Sequence, residues 1–140
     1  VKYLGLAHDL RLALMPLVRQ LRFQSPSGLP AGALSALAAL DRSGPMTAGE
    51  LARHEHVSGP MITKITKLLE AEGLVERVAG SEDARVVRIS VTSAGRTALA
   101  EGRAAKDAWL AGRLADLTAE ERRRLLDALP VLQKLVGDRR

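Results

Sequence analysis

Between Ser58 and Leu69 the chain has no acidic residue, and its spacing predicts a helix with Pro60, Thr63, Lys64 and Lys67 on one face. On the opposite face, Met61, Ile62, Ile65, Leu68 and Leu69 form an apolar stripe suited to burial. A short-polar, cationic outer face fits the major groove of duplex DNA. Threonine can meet a base edge or a thymine methyl, and lysine can reach guanine O6 and N7 or a phosphate. The plainer reading is a solvated helix surface, where lysines are commonplace. Further along, Asp83 and Arg85 fall at a hairpin tip whose flanking strands carry Arg77 and Arg88. An arginine so placed can enter a narrow A·T-rich minor groove, where negative potential is concentrated. Asp83 is placed to hold Arg85 or Arg77 in an extended pose. The alternative is a surface ion pair worth about 0–1 kcal/mol.

Other reactive groups are sparse. His54, Glu55 and His56 are zinc-ligand types, but residues one or two apart at a helix end point in different directions, and the remaining histidine, His8, is distant. Surface histidines are expected, with a phosphate contact from His54 or His56 as the alternative. There is no Gly-rich phosphate loop, no nucleophile elbow and no carboxylate pair beside a recognisable pocket, so neither an enzyme, a cofactor nor a metal is expected. The absence of cysteine excludes disulfides, thiolate metal sites, thiol redox sensing and a cysteine nucleophile.

The elements that must position these groups follow from periodicity and capping. Tyr3, Leu6, Leu10, Leu14, Leu17 and Leu21 make one stripe of a first helix, which Pro16 should kink without ending. The turn cluster Ser25–Pro30 precedes a second helix from about Ala31 to Asp41, closed by Ser43-Gly44-Pro45. Thr47-Ala48-Gly49-Glu50 reads as a capping box that opens a short helix to His54. Ser58 caps the next helix, which Gly73 ends near Glu72. Helix 47–54, a short break and helix 58–72 have helix-turn-helix dimensions, with Ala52 small enough for a close crossing. Leu74 to Val78 and Arg85 to Val91 have strand character around the tip 79–84. A long helix starts at Thr92-Ser93 and runs to about Ala115. A second capping box at Thr118–Glu121 opens the last helix, to about Val136, with a kink or break at Pro130. Leucine and alanine dominate and only Tyr3, Phe23 and Trp109 are aromatic, so the long helices are expected to build most of the core. Trp109 is placed in that core or in a dimer interface. Both terminal segments are more apolar than a lone helix requires, so they are expected to pack on each other or on a second chain.

At 140 residues, 46% hydrophobic and 26% charged, the chain suits one globular domain or a small domain with extensions. The formal charge of +5 and a pI near 10.2 make a polyanion the first partner to consider, with nucleic acid ahead of a membrane surface. Simple solubility is the alternative use of that charge. The excess is not in the middle of the chain, however: residues 44–92 carry six basic and seven acidic side chains. Position rather than bulk charge must therefore make a reading surface, with Glu70, Glu72 and Glu76 expected to face elsewhere. No apolar run approaches the roughly 20 residues of a membrane span, and no signal pattern is present, so no membrane partner and a cytoplasmic location are expected. The start at Val1 leaves an initiator Met and a short arm to be expected before it.

The run Val57-Ser58-Gly59-Pro60-Met61-Ile62-Thr63-Lys64, with Leu68-Leu69-Glu70-Ala71-Glu72-Gly73-Leu74-Val75-Glu76-Arg77, resembles the MarR family of winged helix-turn-helix regulators. Asp83-Ala84-Arg85-Val86-Val87-Arg88-Ile89-Ser90-Val91-Thr92-Ser93-Ala94-Gly95 continues the likeness through the wing. The specific motifs cover about residues 47–95. The resemblance implies a mainly α fold with a small β-hairpin wing, the winged helix-turn-helix being flanked by N- and C-terminal dimerisation helices. It implies an N-terminal dimerisation helix at 1–30, a DNA-binding lobe at 31–92 and C-terminal dimerisation helices at 93–140. In that family the helix matching the one at Ser58 reads the major groove and the arginine matching Arg85 enters the minor groove. Three positions depart from the pattern: Lys64 stands where arginine is usual, Ala84 replaces the first of two wing arginines, and Gly59-Pro60 replace positions that are often polar.

The expected DNA contacts are Thr47, Ser58, Gly59, Pro60, Thr63, Lys64, Lys67, Arg77, Asp83 and Arg85. The implied function is a homodimeric repressor on pseudo-palindromic promoter DNA. A small lipophilic or aromatic effector between the dimer helices and the DNA lobe is implied as its release signal. The alternative is a winged-helix module that binds protein rather than DNA.

Overall fold

The computed structural model describes residues 1–137, so the last three positions of the segment 93–140 lie outside the described residues. The order is α1 (Leu4–Arg22), α2 (Ala31–Ser43), α3 (Ala48–Glu55), α4 (Gly59–Ala71), β1 (Val75–Ala79), β2 (Val87–Val91), α5 (Ser93–Ala115) and α6 (Ala119–Val136). Two compact units divide at Lys106/Asp107, within α5. No helix among the described residues is long and apolar enough to cross a membrane.

In the first unit the core is built from the short middle helices. Ala33, Ala36, Leu37, Ala39 and Leu40 of α2 are buried with Leu51 and Ala52 of α3, Ile62 and Leu69 of α4, and Ile89 of β2. The alanines keep that face of α2 low, so α3, α4 and β2 can all approach it. This corrects the expectation that the long helices supply most of the core. Neither α1 nor α6 has a buried residue, and α5 contributes only Gly95, Leu99 and Gly102. A second correction concerns α4. Met61 is 46% exposed, whereas Thr66, left out of the sequence-derived stripe, is 1% exposed. Its hydroxyl donates to the Thr63 carbonyl at 3.1 Å, which lets a polar residue occupy that buried position.

The turn from α3 to α4 closes as a Schellman motif with a histidine at the left-handed position. His56 has φ 55°, its N–H donates to the Arg53 carbonyl at 3.3 Å, and Val57 N–H donates to the Ala52 carbonyl at 3.0 Å. Gly73, at φ 72°, ends α4 in the same way through Gly73 N–H to Glu70 and Leu74 N–H to Leu69. Strands β1 and β2 pair antiparallel from Val75↔Val91 to Ala79↔Val87. Met46 adds an isolated third-strand bridge to Ile89, through bonds of 3.1 and 2.6 Å, and so ties the start of α3 to the hairpin.

The capping expectations divide. Thr118 and Glu121 form the full reciprocal box. At α3 only half forms: Thr47 Oγ1 accepts from Glu50 N–H, while the Glu50 carboxylate turns to Arg88 Nη1 at 3.5 Å. Pro130 lies inside continuous α6, as Pro16 does in α1. The expected break at Pro130 is absent, because one missing N–H leaves the rest of an 18-residue ladder in place. In the second unit, Arg122 Nη1 donates to the Leu114 and Leu117 carbonyls, tying α6 to the end of α5. Trp109 is half-buried, with the Arg113 guanidinium 5.2 Å from its ring, rather than sealed in a core.

The start of α5 is clamped onto the α4–β1 turn. Thr92 Oγ1 donates to the Gly73 carbonyl at 2.7 Å and accepts from Gly95 N–H at 3.1 Å, while Thr92 N–H donates to the Leu74 carbonyl at 3.0 Å. A Cβ on Gly95 would run into the Leu74 carbonyl oxygen and Val91 Cγ2. Gly95→Ala is therefore expected to lower the unfolding free energy by about 1–3 kcal/mol despite alanine's higher helix propensity. An unchanged urea midpoint would contradict that close approach.

Candidate nucleic-acid interface

Helix α4 is held by its buried stripe, so Gly59, Pro60, Thr63, Lys64 and Lys67 share its exposed outer face. Ser58 caps the helix through Oγ, which accepts from Met61 N–H at 3.2 Å. Pro60 has no N–H, so the Gly59 amide is the first-turn donor left for an incoming anion. Thr63 Oγ1 donates to the Gly59 carbonyl at 3.0 Å. Toward a base it therefore presents oxygen lone pairs and a methyl group rather than its proton. Among the described residues, no carboxylate pairs with Lys64 or Lys67. Thr47 sits half-buried at the head of α3, its oxygen engaged as the cap.

The wing is arranged differently. The Arg85 side chain is 91% exposed at the tip, and Asp83 grips it at three points. Asp83 Oδ1 accepts from the Arg85 backbone N–H at 3.0 Å and from Nε at 3.2 Å, and Oδ2 accepts from Nη2 at 3.3 Å. Of the two arginines considered for Asp83, the structure pairs it with Arg85. Arg77 turns back instead, its Nε donating to Glu70 Oε1 at 2.7 Å. Contrary to the expectation from sequence, Glu70 does not face away from the outer face. It lies three residues beyond Lys67 and therefore on the same flank of α4. Glu72 and Glu76 are exposed.

Three arginines of the hairpin thus each face an acid, Arg77 with Glu70, Arg85 with Asp83 and Arg88 with Glu50. Sequence reasoning missed the Glu50–Arg88 pair and the exposed Met61 beside the outer face. Strand alternation places Arg88 opposite buried Ile89, but its partner is 38 residues away in sequence and carries no local signal. His54 pairs with its neighbour Glu55 at 3.2 Å, and no three-residue metal cluster occurs among the described residues.

A separate cavity of about 510 Å³ opens between the end of α1, α2 and the first half of α5. Leu34, Ala38 and Leu99 give it apolar walls, and Arg22, Arg103 and Lys106 stand around it. Arg103 also reaches Asp41 at 3.8 Å.

The sequence profile of the MarR family matches residues 29–87, which include α2, the helix-turn-helix and the wing tip. An uncharacterised HTH-type transcriptional regulator of Mycobacterium bovis is 41% identical over 134 residues, covering 95% of this chain and 94% of that protein. The chain belongs to the MarR family. An HTH-type transcriptional repressor of Bacillus subtilis is 29% identical over 135 residues, covering 93% of this chain and 85% of the relative. The crystal structure of a candidate transcriptional regulator from Pseudomonas aeruginosa superposes with a TM-score of 0.83 at 33% identity, over 96% of each chain. The fold is the winged helix-turn-helix, and the function class is that of a DNA-binding transcriptional regulator.

Within this MarR-family wing, the guanidinium of Arg85 and then its backbone N–H hold the Asp83 carboxyl below its ordinary value of 3.8. A lowered carboxylate pKa means that the grip is fully present above the ordinary value and is lost as pH falls through the lowered one. A carboxyl-carbon NMR titration is expected to give Asp83 a midpoint below 3.8. Arg85→Ala should move that midpoint upward but not fully back, because the backbone bond remains. An unmoved midpoint would contradict the grip.

Proposed function

We propose that the chain is a homodimeric repressor that binds a pseudo-palindromic promoter site. In this reading each α4 lies in a major groove and each Arg85 enters the adjacent minor groove. Thr63, Lys64 and Lys67 face base edges and phosphates, Gly59 and Pro60 allow close approach, and Thr47 and Ser58 stand at the helix starts. Asp83 poises Arg85 rather than touching DNA. The observation that carries the proposal is the presence, on one lobe, of a helix face with two unpaired lysines, Lys64 and Lys67, and of a 91% exposed arginine at the wing tip. Two such lobes related by a two-fold axis would read half-sites about 34 Å apart. With Lys64 where the family has arginine, the contact is a single adaptable charge instead of a planar fork.

Homodimerisation is supported by the apolar surface of the terminal helices. Leu4, Leu6 and Leu12 of α1 and Leu126, Val131 and Leu135 of α6 are all more than half exposed. Scattered leucines on a surface are ordinary, but two whole helices without a buried residue are the mark of a surface that another chain covers. The 510 Å³ cavity falls within the range of small-molecule sites and supports a lipophilic or aromatic effector. Such a ligand lowers DNA affinity only if it favours a dimer with wrongly spaced lobes.

Selection from a randomised duplex pool tests the DNA reading. The protein is expected to enrich a two-fold symmetric site, and Arg85→Ala to weaken binding most on sites with A·T-rich flanks. Equal loss on every sequence would place Arg85 on phosphates, and enrichment of no duplex would favour a protein-binding module. Lys64→Ala is expected to change the base preference; an unchanged preference would remove its base-reading role. Sedimentation at micromolar concentration is expected to give a species of twice the 15.0 kDa chain, and a monomer would refute the dimer.

A further inference from the structure

Glu70 is the one acid on the flank of the outer face of α4, three residues beyond Lys67, and Arg77 Nε reaches its Oε1 at 2.7 Å. Both side chains are substantially exposed, 48% for Arg77 and 33% for Glu70. Exposed pairs of this kind contribute little to folding because water already screens them. A polyanion laid along α4 changes that balance. It displaces water and would meet the Glu70 carboxylate as a like charge within a Debye length. Arg77 lies on β1 and spends its guanidinium on Glu70, and Arg88 on β2 does the same for Glu50. Lys64 and Lys67 are thereby left as the unpaired cations of α4.

We propose that Arg77 is a charge screen for Glu70 rather than a DNA contact, so that it raises DNA affinity by cancelling the one carboxylate beside the reading face. The proposal rests on the DNA-binding reading above. It makes β1 part of the electrostatic design of α4. It also explains how a lobe with one more acid than base can present a positive face, since its acids are neutralised where DNA would lie.

The test is a four-protein cycle: wild type, Arg77→Ala, Glu70→Gln and the double variant. Binding is read by fluorescence anisotropy on the duplex that wild type enriches from a random pool, at several salt concentrations. Arg77→Ala is expected to lose about five- to tenfold in affinity at low ionic strength. Adding Glu70→Gln should restore affinity to within about twofold of wild type, and Glu70→Gln alone should bind at least as tightly as wild type. Thermal midpoints should stay close across the set. If Arg77→Ala does not fold, Arg77→Gln, which keeps the stem, replaces it in the cycle. A double variant as weak as Arg77→Ala, with a salt slope reduced by about one, would mean that Arg77 touches phosphate and would overturn the screen. Loss in Glu70→Gln matching that in Arg77→Ala would mean a merely structural pair, and would overturn it too. No loss in Arg77→Ala would do the same. If wild type enriches no duplex, the DNA-binding reading fails first and the screen falls with it.

Discussion

Ile62, Thr66 and Leu69 of α4 are almost wholly withdrawn from water, packed toward the alanine face of α2 and toward α3. With 3.6 residues per turn, burying that stripe turns Thr63, Lys64 and Lys67 outward together. Withdrawing Ile62 and Leu69 stabilises by about 1.5–3 kcal/mol each, far more than any exposed ion pair in the lobe supplies. Packing therefore sets the orientation of the outer face of α4, and electrostatics only decorates it. The same stripe explains the Ala-rich α2, where larger side chains would push α4 outward. It also explains the Thr92–Gly95 clamp, which seats α5 on the turn that ends α4.

Electrostatics then follows the packing. The chain carries +5, but residues 44–92 carry one more acid than base, so bulk charge is a poor guide to where a polyanion would bind. Positive character arises locally because the hairpin arginines take up Glu70, Asp83 and Glu50. Lys64 and Lys67 are left unpaired on the outer face of α4. The net excess lies instead in residues 1–43 and 93–140, outside the helix-turn-helix and the wing.

The terminal helices are governed by what they leave uncovered. Helix α1 offers Leu4, Leu6 and Leu12 to solvent, and α6 offers Leu126, Val131 and Leu135. Helix α6 opens on the reciprocal Thr118–Glu121 cap, whereas α1 has no side-chain cap, and neither helix buries any of its own residues. A second copy of the chain would satisfy that apolar surface. The cavity beside Arg22, Arg103 and Lys106 borders the end of α1, one of the two helices that carry this uncovered apolar surface.

Much of this was legible in the chain because the signals are local. The caps at Ser58 and Thr118, the glycine that ends α4, the alternation of Val87 and Ile89 and the helical face of Thr63, Lys64 and Lys67 all arise within a few residues of one another. The family motifs at 57–77 and 83–95 are local in the same sense. Local signals failed where a partner from elsewhere decides. Met61, expected inside, is exposed, and Thr66 takes up a buried place, because the packing angle of α4, not hydrophobicity alone, selects the inward stripe. Glu50 leaves half of its capping box for Arg88, 38 residues on, and Arg77 chooses Glu70 over a free role at the surface. The sequence by itself determined the elements, most of their caps and which polar and cationic side chains share one face of α4, since backbone propensity and periodicity act over a turn or two. Only the tertiary structure decided which of those charges stay available, because an ion pair depends on distance in space and not along the chain.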